Sequence, residues 1–290
     1  MTLKIALFHR NRPQLTTTTR MIGWWGYDVP EFEVTHYPVG RRFTAKTSRF
    51  SQYDFIIYED GKLAGTFIKS PGGPPVCYHI VDSVLSDDHY QHRLEQARQN
   101  ADILLIDQDR FSRFAFLGLP MFRFNYCANE QWFYPTEAEE KLIDVAYHVR
   151  GSSERDELGR KLVEFCKANS LTYTAGVIYN RFEYAMKFRR AKVVVNLHRN
   201  PFVRGHRMFD AMASGACYLT DPPPDISDES RVDGLDYITF SNTDDMLKKL
   251  YDLIKSGRCQ TIGRQAHDWI MAGQTWAHRA KQLTTLLKGL

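Results

Sequence analysis

Residues 205–215, reading Gly-His-Arg-Met-Phe-Asp-Ala-Met-Ala-Ser-Gly, carry the most legible chemistry in this chain of 290 residues. A helix opening at Gly205-His206-Arg207 offers backbone N–H groups and the positive end of its dipole, and together these hold phosphate. Arg207 adds a planar two-pronged donor suited to a diphosphate. Asp210, one turn further on, is a carboxylate able to accept from two neighbouring hydroxyls of a ligand. Gly215 permits close backbone approach. Arg150, at a strand end before Gly151, is a second cation for a diphosphate. A polar loop beginning at His198 precedes this helix, and a further loop runs from Gly176 through Tyr179 to Asn180.

These residues need a scaffold, and the hydrophobic pattern supplies one. Apolar runs suited to buried strands are KIALF (4–8), EFEVTHY (31–37), DFIIY (54–58), VCYHIV (76–81), ADILLI (101–106) and MFRFN (121–125). HYQHRLEQARQN (89–100) has helical spacing. A break follows near Trp132–Pro135, and Pro135, Thr136 and the acids of 137–140 mark a linker. The alternation then resumes: strand 144–149, helix 151–169, strand 171–175, helix 181–191, strand 193–197, helix 206–215, strand 217–221, helix 244–257 and a final helix 275–290. Alternation of this kind predicts parallel strands with crossover helices. The α/β pattern divides into an amino-terminal domain over 1–137, a carboxy-terminal domain over 138–273, and a helix over 274–290.

The stretch from Tyr173 to Asp221, with AKVVVNLHR, GHRMFDAMASGACYLTDPP and the later QTWAHRAKQL, resembles the donor half of GT-B glycosyltransferases. The resemblance is nearest to the spore-maturation-like group and covers roughly residues 140–285. It implies two Rossmann-like domains facing a cleft, with the final helix crossing back to the first domain. It also implies transfer of a sugar from a nucleotide-sugar donor, a UDP-sugar, with no metal required. Donor-binding residues would be Arg150, Gly176, Tyr179, His198, Gly205, His206, Arg207, Asp210 and Gly215. Gly176–Asn180 would hold the base and Asp210 the ribose. One departure stands out. Many retaining GT-B enzymes have glutamate eight residues before the helix acid, and Phe202 occupies that position here. The glycine loop common after the first strand is also replaced, by HRNRPQLTTTT.

In GT-B enzymes the amino-terminal half binds the acceptor, and an inverting reaction needs a base there. Asp82, directly after the strand VCYHIV, and His9, after the first strand, fit that role, with Asp82 favoured. His79 lies inside the strand and reads as core, and His89 and His92 fall on a helix. Asp107-Gln108-Asp109 also follows a strand, which leaves a GT-A-like metal-dependent reading open. The absent acid at Phe202 leaves a non-catalytic nucleotide-sugar-binding module open as well.

Charge bears on the acceptor. Residues 1–52 hold eight Lys/Arg against three acids, whereas the whole chain carries only +4. Arg10, Arg12, Arg41, Arg42, Lys46 and Arg49 would suit a polyanion, with Trp24, Trp25, Tyr27, Phe43 and Phe50 available to stack on bases. A hydroxymethylated base in DNA, a glycan and a small metabolite all remain open as acceptor. The five cysteines have no metal spacing and read as reduced thiols. No apolar run reaches the roughly 18–20 residues of a membrane span, so the expected location is the cytoplasm.

Overall fold

The computed structural model describes residues 2–10, 30–39, 42–59, 64–80, 87–106, 114–124, 126–135, 141–149, 153–178, 180–198, 205–222 and 233–290. It contains two compact units, Met1–Asn125 with Ala277–Leu290, and Tyr126–Trp276. Seven α-helices occur among the described residues, and every strand pairing is parallel.

The first unit is built on β1 (Leu3–Arg10), β2 (Phe32–Val39), β4 (Phe55–Glu59), β6 (Val76–Ile80), β7 (Ile103–Ile106) and β8 (Met121–Arg123), in the order β2-β1-β4-β6-β7-β8. A separate pair joins β3 (Arg42–Lys46) to β5 (Ala64–Ile68). The helices are α1 (Asp87–Asn100) and, from Ala277 onward, α7 (Trp276–Lys288). All residues of β6 and β7 are buried. This is why both read as continuous apolar runs rather than alternating ones. His79 is core, only 1% exposed.

Arg42 starts β3, which aligns with β5 from Arg42↔Ala64 to Lys46↔Ile68. One expectation for this unit is corrected. The aromatics offered for base stacking have another use. Phe43 stacks on Phe8 at 5.5 Å, and Phe50 meets Phe8 edge-on at 5.1 Å, inside a cluster with Phe67 and Tyr58. Lys46 and Arg49 are exposed. Arg12, Trp24, Trp25, Tyr27 and Arg41 lie outside the described residues, as do Asp82 and the Asp107-Gln108-Asp109 triplet.

The second unit is built on β9 (Ile143–Tyr147), β10 (Tyr173–Ala175), β11 (Ala191–Asn196), β12 (Cys217–Thr220) and β13 (Ile238–Thr239), in the order β10-β9-β11-β12-β13. Its helices are α2 (Ser153–Ala168), α3 (Arg181–Arg190), α4 (His206–Ala213), α5 (Thr243–Ser256) and α6 (Arg258–Gly273). Period-two alternation sorts the sheet into two faces. Val145, Tyr147, Val193, Val195, Cys217 and Leu219 share a core with Leu158 and Leu162 of α2 and Met246 and Leu250 of α5. The alternate residues, Asn196, Tyr218 and Thr220 among them, therefore point to the opposite face, where α3 and α4 pack.

Three local devices hold this unit together. Asn180 caps α3 by accepting from the Glu183 amide, and Asn242 caps α5 by accepting from the Asp245 amide. Asp144, at the start of β9, accepts from the Thr172 amide and hydroxyl, both at 2.8 Å, and pairs with Lys192 of β11 at 2.7 Å. It thus ties β9 to both its neighbours. The third device is a close approach. After α4 the chain turns at Gly215 with φ of +65°, and α6 lies so near that a Cβ on Gly263 would stand 2.4 Å from the Gly215 carbonyl oxygen. All five cysteines are buried, and none forms a disulfide. Among the described residues no helix is long and apolar enough to cross a membrane.

Two stability predictions follow from these contacts. Gly263→Ala should cost about 1–3 kcal/mol, the scale of overpacking a tight interior, read from the urea midpoint. An unchanged midpoint would mean that α6 has room to move away from the Gly215 turn. Asp144→Asn should cost about 1–2 kcal/mol at neutral pH, as Lys192 and the Thr172 amide lose a charged acceptor. Burial alone would raise the Asp144 carboxyl, but Lys192 and Thr172 outweigh burial and hold it below the ordinary value. Its contribution is therefore present above the unfolded-state pKa of about 3.9 and lost as pH falls through the folded value. The difference between parent and variant should narrow in acid, and a constant difference down to about pH 2 would contradict this account.

Candidate functional site

In open parallel sheets ligands bind beyond the carboxyl ends of the strands, at the point where strand order reverses. In the second unit that point lies between β9 and β11, because β10 is placed on one side of β9 and β11 on the other. The residues that leave these strands at their carboxyl ends are His148, Asn196 and His198, with Thr220 and Asp221 at the end of β12.

The pairing of β11 with β12 sets Asn196 opposite Thr220. From that pair a chain of polar contacts extends in both directions. Arg207 donates to the side-chain Oδ1 of Asn196, and the Asn196 Nδ2 reaches the Thr220 hydroxyl at 3.5 Å. Thr220 donates to Asp221 at 3.1 Å, and Asp221 accepts from both the backbone N–H and Nδ1 of His198 at 2.8 and 2.7 Å. Burial would raise the Asp221 carboxyl, but its bonds to His198 and Thr220 prevail and hold it below the ordinary carboxylate value. Because an ionised carboxylate can only accept, the His198 Nδ1 carries a hydrogen. Arg155, in the first turn of α2, is 7% exposed and donates Nε to the Leu197 carbonyl at 2.9 Å, which fixes the exit of β11.

Several polar atoms at this edge are buried yet lack a hydrogen-bond partner among the described residues: Nε2 of His148, Nε2 of His198 and Nε of Arg207. The Tyr184 hydroxyl lies near Arg207 and the Tyr218 hydroxyl near Thr220, neither in a well-aligned hydrogen bond. Buried polar groups are nearly always satisfied, so a cluster of unsatisfied ones marks a place that receives a polar ligand or ordered water. Gly205 starts α4 without a side-chain cap and with no acid in the first turn, which suits an anion. Asp210 is 5% exposed, so it is not an ordinary surface helix acid. It sits close enough to Tyr184 to add to the rise that burial gives that phenol.

The sequence-derived donor residues thus divide into two groups. His198, Gly205, His206, Arg207, Asp210 and Gly215 lie on the β11 exit, on α4 and on the turn after it. Gly176 lies at the end of β10, exposed, with φ of +103°. Arg150 and Tyr179 lie outside the described residues. Of the two residues proposed as base, Asp82 lies outside the described residues, and His9 is the penultimate residue of β1, its side chain not described. Sequence reasoning missed His148, Arg155, Asn196 and Asp221. A signal was available for Asn196, since an amide ending the run VVVN at a strand exit has no role in an apolar core.

Residues 133–285 match the family described as glycosyl transferase-like. No curated protein matches the chain. Among solved structures, HepE of Anabaena in complex with UDP and glucose superposes with a TM-score of 0.62 at 12% identity, over 99% of this chain and 100% of that one. Sucrose-phosphate synthase from Thermosynechococcus elongatus gives 0.61 at 11% identity, over 99% and 98%. The pneumococcal O-GlcNAc transferase GtfA in complex with UDP and GlcNAc gives 0.54 at 10% identity, over 81% of this chain and 56% of that one. At such identities the likeness is one of fold, and it is the GT-B plan of two α/β units with parallel sheets. With more than half of its length matched to that family, the chain belongs to the glycosyl transferase-like family and is a glycosyltransferase.

Proposed function

We propose that the protein transfers a sugar from a UDP-sugar to an acceptor hydroxyl, with the donor diphosphate held at the carboxyl edge of β9, β11 and β12. The observation that carries this reading is the buried Arg207 Nε, without a partner among the described residues, at the uncapped amino end of α4 and beside the point where the strand order reverses. Support for UDP comes from the HepE and GtfA complexes, which hold UDP on a similar fold. The spore-maturation-like subgroup is proposed on the NLHR and GHRMFDAMASG segments alone.

The chemistry is as follows. The acceptor oxygen bonds to the anomeric carbon as the bond from that carbon to the β-phosphate oxygen breaks. UDP departs with the bonding electrons, and the acceptor hydroxyl gives up its proton. Negative charge grows on the leaving diphosphate, so donors fixed beforehand around it lower the barrier. Arg207 and the amino end of α4 supply such donors, His198 adds one at Nε2 in its imidazolium form, and these groups take the place a divalent ion would have. Asp210 binds the ribose, and the loop from Gly176 holds the base. For an inverting reaction Asp82 or His9 takes the acceptor proton.

Two experiments test this. Calorimetry should show UDP binding that Arg207→Ala weakens by about 1.5–3 kcal/mol, the scale of a hydrogen bond to a charged group. Equal affinity in the folded variant would remove Arg207 from the diphosphate site. Transfer or hydrolysis of UDP-sugars should persist in excess EDTA, and Asp82→Asn should lower turnover about a hundredfold or more if that carboxylate is the general base. Activity that is abolished by EDTA and restored by manganese would replace this mechanism with a metal-dependent one. Full turnover in Asp82→Asn together with loss in His9→Asn would move the base to His9.

A further inference from the structure

His148 follows β9 immediately, is 3% exposed, and packs against Tyr184 and Phe188 of α3. Its Nδ1 lies 2.9 Å from the Gly176 carbonyl oxygen. A carbonyl only accepts, so Nδ1 carries the hydrogen. Burial pushes the imidazole below its ordinary pKa against the opposing pull of the Gly176 bond, and Arg207 and Lys187 push it the same way as burial. The ring is therefore neutral at physiological pH, with its Nδ1–H committed to one backbone carbonyl.

Gly176 is consequently held from both sides. Its N–H donates to the Tyr147 carbonyl at 3.1 Å, and its C=O accepts from His148. Between these two bonds the backbone adopts φ of +103°, a region that side chains disfavour. The residues beyond it, Val177 and Ile178, begin the loop that leads to the cap of α3 at Asn180. Val177 is exposed, so it adds little apolar packing to fix the course of the chain beyond Gly176. The direction in which it leaves the sheet is set by the two bonds at Gly176.

We propose that His148 is a positioning residue for the donor, acting through the Gly176 carbonyl to set the course of the loop that receives the nucleoside end of UDP. The proposal rests on the UDP-sugar reading above. It separates two functions within one site: Arg207 and α4 hold the diphosphate, whereas His148 governs the base end without touching it.

The test compares the binding of UDP and of inorganic pyrophosphate by calorimetry. His148→Phe keeps the ring packing but removes the N–H. It should weaken UDP about fivefold or more, the range for loss of one neutral hydrogen bond, and leave pyrophosphate unchanged. His148→Asn places an N–H near the same point and should restore UDP affinity to within about twofold of the parent, on the same hydrogen-bond reasoning. Gly176→Ala tests the loop without disturbing the core, because among the described residues nothing lies within 4 Å of the added Cβ and the positive φ resists it. It too should weaken UDP and spare pyrophosphate, and it decides the matter if His148→Phe does not fold. Equal losses for UDP and pyrophosphate, no loss in either His148→Phe or Gly176→Ala, or failure of Asn to restore binding would overturn the proposal. A parent that binds UDP through Arg207 but ignores His148 sinks this inference alone, whereas a parent that does not bind UDP at all sinks the donor reading with it.

Discussion

Parallel pairing places the carboxyl ends of all strands at one edge of a sheet, and in the second unit everything of chemical interest hangs on the register of a single pair. Val193 stands opposite Cys217 and Asn196 opposite Thr220. A slip of one residue would turn Asn196 and Thr220 into the core that α2 and α5 cover, and bring Val195 and Leu219 to the site. The apolar alternates Val193, Val195, Cys217 and Leu219 hold the register, since they are buried against Leu158, Leu162, Met246 and Leu250. The hydrophobic face thus aligns the polar one.

Once aligned, the polar face is ordered by mutual hydrogen bonds, from Arg207 through Asn196, Thr220 and Asp221 to His198. Each member is oriented by its neighbour, which limits the rotamers open to long side chains such as Arg207 before any ligand arrives. Preorganisation of this kind reduces the entropy lost on binding. It also has a cost, because each buried polar atom left without a partner is unfavourable by about 1–3 kcal/mol. Among the described residues that cost falls on nitrogens of His148, His198 and Arg207, at the reversal point of the sheet, and for Arg207 it is offset where a diphosphate accepts its hydrogen bond. The packing elsewhere is correspondingly tight, with Gly263 of α6 against Gly215 and Asp144 bridging β9 to both neighbours.

The strands and helices of both units are legible from periodicity because they are either fully buried or strongly amphipathic. DFIIY, VCYHI and ILLI become β4, β6 and β7, and DDMLKKLYDLIKS becomes α5, capped by Asn242 and closed at Gly257. The short β3–β5 pair is not legible. RFTAK and AGTFI carry few apolar residues each, and their stability comes from Phe43 and Phe67 joining an aromatic cluster with Phe8 that is distant in sequence. α6 also escaped notice, because Arg258–Gly273 contains Gly263, whose purpose is contact with a turn almost fifty residues earlier.

The same division applies to the site. Sequence by itself determined the helix opening at Gly205, the spacing from Arg207 to Asp210 and the glycine after it, because those features lie within one helix and its two ends, where spacing and geometry are equivalent. Tertiary structure alone decided that Arg207 leans on Asn196, that Asp221 orients His198 and that His148 grips the Gly176 carbonyl. These partners lie 11, 23 and 28 residues apart in sequence. They meet only because parallel crossovers return each strand to the same edge, and a hydrogen bond, which fails beyond a few tenths of an ångström of its proper length, depends on where that return places each atom.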